Sequence, residues 1–137
     1  MTAPHLHHVR VYYEDTDFSG TVYHANYLRF MERARTEMLR ALGVDQGAAL
    51  AGETSERFGF VVRAMTIDFH RPARMDDWLA VETTVEKLGA ATLELLQTVR
   101  RGAETLASAR VRVACVVDGK AARMPRGVRA RLEQSAP

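Results

Sequence analysis

The spacing of apolar and polar positions changes character twice along the chain. Residues 8–14 (HVRVYYE) alternate and are rich in Val and Tyr, which predicts a strand. Residues 15–21 are dense in turn-forming types. From Tyr23 to Gly43 the period becomes helical: Tyr27, Met31, Ala34, Met38 and Leu42 share one face, and Arg29, Glu32, Arg33, Thr36, Glu37 and Arg40 cover the other. Arg33 and Glu37 stand one turn apart and suit an ion pair. Gly43 is a natural stop, and Asp45–Leu50 reads as a short helical piece before a loop at Gly52.

Beyond that loop the pattern is β throughout. Residues 58–71 form a long, mostly apolar run, and Pro72–Asp76 turns the chain. Leu79, Val81, Thr83 and Val85 alternate with Ala80, Glu82, Thr84 and Glu86. Gly89 marks a hairpin, Leu93, Leu95, Gln97 and Val99 resume the alternation, and Gly102 turns again. Alternate positions from Ala107 to Val117 complete the series, ended by Asp118-Gly119, and Pro125 opens a short terminal helix. Successive hairpins predict an antiparallel meander. One amphipathic helix on one sheet face makes a two-layer α+β domain over residues 1–137. The other face must be solvated or shared, a first pointer to self-association.

Composition adds bounds. The chain has 137 residues, 47% hydrophobic and 26% charged, with a net charge of +2. That size suits one domain with a core. The positive charge is nearly all arginine, Lys87 and Lys120 being the exceptions. Arg123, Arg126, Arg129 and Arg131 gather near the end without a nucleic-acid motif, so no nucleic-acid partner is expected. Cys115, the single cysteine, lies in an apolar run and reads as a core thiol. The N-terminus lacks an apolar signal region and no segment is long enough to span a bilayer, so a cytoplasmic protein is expected. Residues 133–137 have a disordered composition, and the histidines His5, His7 and His8 lie in a segment expected to be mobile. His70 reads as a strand-end residue.

The chemistry concentrates in Glu14–His24, at a strand-to-helix junction. Asp15, Asp17, Ser19 and Gly20 match positions of a calcium loop, but Asn26 stands where a bidentate Glu is needed. No zinc cluster is present in the sequence, and no metal or cofactor is expected. Asp17-x-x-Gly20 is also sound turn chemistry. A third reading is catalytic. The helix start at Tyr23–Asn26 has free N–H groups able to stabilise an oxyanion, and a carboxylate across the Gly turn sits opposite. With no strong general acid, the leaving group must depart unaided. A thiol, of pKa about 8.5, does so, whereas an alcohol does not. The residues thus favour a thioester substrate.

The run Tyr13–Tyr27 (YEDTDFSGTVYHANY) resembles the signature of the hotdog-fold acyl-CoA thioesterases, in the YbgC-type branch associated with the Tol-Pal envelope system. The 4-hydroxybenzoyl-CoA thioesterases share its Asp-x-x-Gly-x-Val centre. Glu32–Glu37, Pro72–Asp77 and the stretches Asp118–Lys120 and Met124–Pro125 extend the resemblance over nearly the whole chain. It implies a hotdog fold, a five-stranded antiparallel sheet wrapped around one long helix. It implies hydrolysis of acyl-CoA, or of acyl-carrier-protein thioesters, with Asp17 attacking the carbonyl or activating water. The backbone N–H of His24 would polarise the carbonyl and its imidazole would orient Asp17 or water. Glu14 and Asp15 read as strand-end and turn acids. Gly20, Val22, Tyr23, Asn26 and Tyr27 are the expected substrate-binding residues, with Lys87 and Arg100, and also Arg101, toward the nucleotide phosphates. A homodimer or homotetramer with interfacial sites is implied. A non-catalytic acyl-thioester binding module on the same fold is the alternative. A dehydratase is disfavoured, since no His-Phe-Pro type motif is present.

Overall fold

The computed structural model describes residues 3–51 and 57–135. β1 (His5–Arg10) leads through a single 3-10 turn (Tyr13–Asp15) to α1 (His24–Ala41) and α2 (Gln46–Leu50). Then follow β2 (Gly59–Phe69), β3 (Trp78–Leu88), β4 (Thr92–Arg101), β5 (Glu104–Val117), the two-residue β6 (Lys120–Ala121) and α3 (Arg126–Glu133).

The sheet is antiparallel, in the order β1-β3-β4-β5-β2, with β6 paired to the end of β5. Three expectations need correction. The first strand begins earlier than residue 8 and ends before Tyr12, because His5–Arg10 pairs with Trp78–Thr83, while Tyr13–Asp15 coils. His5, His7 and His8 therefore belong to the sheet. The meander holds only for β3-β4-β5. β2 pairs with β5 at the far edge, so Pro72–Asp76 carries the chain across the sheet rather than around a hairpin. β6 adds a sixth short strand: positive φ at both Asp118 and Gly119 (51° and 78°) makes the tight turn that reverses β5 into it. The expected loop at Gly52 lies outside the described residues. Glu133, placed in a disordered tail by composition, closes α3.

α1 buries Tyr27, Phe30, Met31, Ala34, Met38 and Leu39 against the sheet, chiefly over β1 and β3. The predicted stripe is there, widened by Phe30 and Leu39, while Leu42 is half-buried. Burying each large side chain of this face contributes roughly 1.5–3 kcal/mol. Leu39, Val44 and Gly43 close the helix. Val44 N–H donates to Leu39 O at 2.8 Å and Gly43 N–H to Arg40 O at 3.0 Å, a pairing that needs the positive φ of Gly43 (85°). On the polar face Glu37 pairs with Arg40, not with Arg33. From β3, β4 and β5 the core takes Leu79, Val81, Val85, Leu93, Leu95, Val99, Val111 and Cys115. The outward register carries cross-strand pairs such as Arg110–Glu86 and Arg112–Glu94. No helix among the described residues is long and apolar enough to cross a membrane.

Candidate active site

The segment from Tyr12 to Tyr27 is fixed by one buried acid. Asp15 accepts from the Tyr12 N–H through Oδ2 (2.9 Å) and from the Asn26 side-chain amide through Oδ1 (2.8 Å). Its own carbonyl accepts from Tyr23 N–H at 2.9 Å. It thereby ties the 3-10 turn to the first turn of α1. Asp15 had read as a turn acid; it also clamps the helix, a role hidden in sequence because its partner Asn26 is eleven residues away. Asn26, expected at the substrate, spends one amide hydrogen on that clamp.

Asp17 stands on the opposite, exposed side of the turn. Gly20 N–H donates to Asp17 O at 3.0 Å, and Gly20 adopts φ 84°, where an L side chain is strained. The Asp17 carboxylate accepts from the Ser19 N–H at 2.9 Å and from the Ser19 hydroxyl. These hydrogen bonds, from the hydroxyl first, hold its pKa below the ordinary carboxylate value, and the nearby His24 imidazole acts in the same direction. Asp17 is therefore ionised at neutral pH.

Across from this turn, α1 begins without a side-chain cap. Its N-cap is Tyr23, a residue unable to cap, and no acid sits in its first turn. Tyr23 N–H goes to Asp15 O and Asn26 N–H to Tyr23 O. Among the described residues, the His24 and Ala25 N–H groups are left with no backbone acceptor. The positive end of the helix dipole is thus open to an anionic or polarised oxygen.

A hollow of about 240 Å³ adjoins this end, lined by Val22, His24, Tyr27, Phe69, His70, Arg71 and Pro72. Its wall is held from below. Val22 N–H donates to Ala73 O at 2.9 Å, and the Tyr27 hydroxyl accepts from Ala73 N–H at 3.0 Å. The His24 ring lies against Tyr23 (centroids 4.5 Å apart) and edge-on to Phe69 (6.2 Å). Val22, His24 and Tyr27 thus meet in this hollow, Gly20 closes the Asp17 turn, and the His24 imidazole is the ring whose charge acts on Asp17, while Asn26 is turned to Asp15. Sequence reasoning missed Phe69 as part of this wall, and His70 joins it while bonding Ser108 Oγ at 2.9 Å.

Of the residues expected toward the phosphates, Arg101 reaches the rim of this hollow at Pro72, and Lys87 lies at the other end of its strand. Lys87 sits at the far end of β3, nine residues or about 30 Å from Trp78, and its Nζ is 3.7 Å from Glu94. Arg100 Nε is 3.2 Å from Glu82. Arg101 braces the 72–77 loop instead, donating to Asp77 (2.7 Å), Glu104 and Pro72 O. No cluster of three or more metal-ligating side chains occurs among the described residues.

One long helix held against a curled antiparallel sheet is the arrangement of the hotdog fold. Comparison with known proteins agrees. The sequence pattern of the Thioesterase superfamily matches residues 19–108. The "Acyl-CoA thioesterase YbgC" of Haemophilus influenzae is 48% identical over 112 residues, 82% of this chain and 80% of that protein. The "Acyl-CoA thioester hydrolase YbgC" of Escherichia coli is 43% identical over 129 residues, 92% and 93% of the two chains. Among solved structures, one described as "Probable Thioesterase from Bartonella henselae" superposes with a TM-score of 0.86 at 42% identity, covering 90% of this chain and all (100%) of that one. The chain belongs to the Thioesterase superfamily and has its hotdog fold.

Proposed function

We infer that the protein is an acyl-CoA thioesterase, and we propose how its residues act. The observation that carries the mechanism is the uncapped start of α1 beside the Asp17–Gly20 turn. A thioester carbonyl oxygen seated against the His24 and Ala25 N–H groups gains a donor pair that strengthens as charge develops on it. Asp17, ionised and pinned by Ser19, attacks the carbonyl carbon to give a mixed anhydride that water then cleaves, or takes a proton from a water that attacks directly. The thiolate leaves without a general acid. His24 contributes its N–H to the oxyanion and its ring to the wall that orients water.

The substrate is acyl-CoA, with acyl-carrier protein as a second carrier. Lys87 and Arg100 remain the contacts we propose for the nucleotide phosphates, and Lys87, at the far end of β3, is reached across a subunit boundary of a homodimer or homotetramer. The proposed location is the cytoplasm. A screen over short, long and aromatic acyl-CoA esters, read by thiol release, tests this reading. Turnover of at least one class supports it, and tight binding without thiol release would assign the chain to the binding-module alternative.

A further inference from the structure

A second hollow lies at the opposite end of the seam between α1 and β2. Tyr27 of α1 and Phe69 of β2 line the hollow beside His24. At the other end Arg35, Met38 and Leu39 face Phe60 and Val62 around a cavity of about 340 Å³, with Leu95 among the residues of its floor. That volume is in the range of small-ligand sites. Between the two, Met65 and Ile67 of β2 are only half-buried, because α1 lies mainly over β1 and β3. The β2 side of the seam is therefore apolar from Phe60 through Met65 and Ile67 to Phe69, with the open helix terminus at one end.

Its other end holds a cation. Arg35 NH1 donates to Gln97 Oε1 at 2.9 Å. Gln97, wholly buried, is satisfied in turn by Met31 O and Thr83 Oγ1, both at 3.0 Å. One guanidinium hydrogen bond is thus used, and no carboxylate lies within ion-pairing distance of Arg35 among the described residues. Glu32, one turn back, also borders the cavity and its charge favours the Arg35 cation, but it is exposed, makes no ion pair with Arg35 and equally borders the surface hollow of Arg29 and Arg33. Burial disfavours the charged form of Arg35, which nevertheless stays protonated. A part-buried guanidinium with spare donors beside an apolar cavity calls for a planar anion.

We propose that the α1–β2 seam is the acyl subsite and that Arg35 receives a terminal carboxylate on the acyl chain. The preferred substrates are then ω-carboxyacyl thioesters of medium length. This inference rests on the thioesterase reading above. Arg35 is eleven residues beyond His24, or about 16 Å along the helix, and its side chain leans back toward the helix start. A zigzag chain advances about 1.3 Å per C–C bond of ~1.5 Å, so roughly eight to twelve carbons span the gap.

The test compares kcat/KM for a ten-carbon ω-carboxyacyl-CoA and the plain ten-carbon acyl-CoA, read by thiol release, in wild type, Arg35→Met and the exposed control Arg33→Met. Wild type and control should prefer the carboxylated substrate about tenfold or more, and Arg35→Met should abolish that preference while retaining activity on the plain ester. The wild-type preference depends on no variant's folding. Its absence, its survival in Arg35→Met, or an equal loss on both substrates (the mark of a brace for Gln97) would overturn the proposal while leaving the thioesterase reading intact. Failure to cleave any acyl-CoA would instead overturn both.

Discussion

Asp15 and Asp17 are two residues apart and do different work. Asp15 is buried between two donors, so Asp15→Asn turns one acceptor into a donor facing another donor. We expect a loss of about 1–3 kcal/mol of stability, seen as a lowered melting temperature, with activity falling only as far as the helix start shifts. An unchanged melting temperature would remove the clamp from the account. Ser19 sets the titration of Asp17. Because its hydrogen bonds depress that pKa, the ionised form persists to lower pH than in an ordinary carboxylate. The acid limb of kcat/KM should therefore lie below the usual range, and Ser19→Ala should move it upward. The acidic residues were legible as a group in sequence. Their division of labour was not, since it depends on Asn26 folding back onto Asp15. Gln97 left a readable trace, a polar side chain on the inward register of β4, though nothing local pointed to Arg35 as its partner.

At the scale of elements, the start of α1 makes separate claims for backbone and side chain. His24→Ala keeps the N–H and should lose about ten- to a hundredfold in turnover if the ring orients water. His24→Pro suits a first helical position yet removes the donor, and should cost about a hundred- to a thousandfold. Circular dichroism checks that both fold; a Pro variant as active as the Ala variant would place the oxyanion elsewhere. β1 carries a pH dependence of its own. Burial, the largest cause for both, lowers the pKa of His5 and His7 below the ordinary histidine value. The unfolded chain then binds more protons as pH falls through about 6.5, so stability declines from there toward the folded pKa values. Thermal melts from pH 7 to 5 should show that slope, and the double change His5→Gln, His7→Gln should flatten it. Helix and strand periods were readable because each repeats locally. The start of β1 was not, since His5–Arg10 is organised by pairing with Trp78–Thr83 of β3, far along the chain.

For the whole molecule, the sheet order decides what a single chain leaves open. β2 is an eleven-residue edge strand with Val61, Val62 and Phe69 exposed, and such an edge invites pairing with a second copy. We expect light scattering to show a dimer or a dimer of dimers, while an active monomer at micromolar concentration would contradict a shared site. The placement of β2 at that edge was illegible from hairpin spacing, because the crossover at Pro72–Asp76 looks locally like a turn. The whole arrangement serves one claim, that Asp17 opposite the start of α1 cleaves a thioester. The most direct test is turnover of one acyl-CoA by Asp17→Asn, with its fold verified by melting temperature. The account predicts a folded protein slower by roughly a thousandfold or more; near-normal turnover by the folded variant would contradict it.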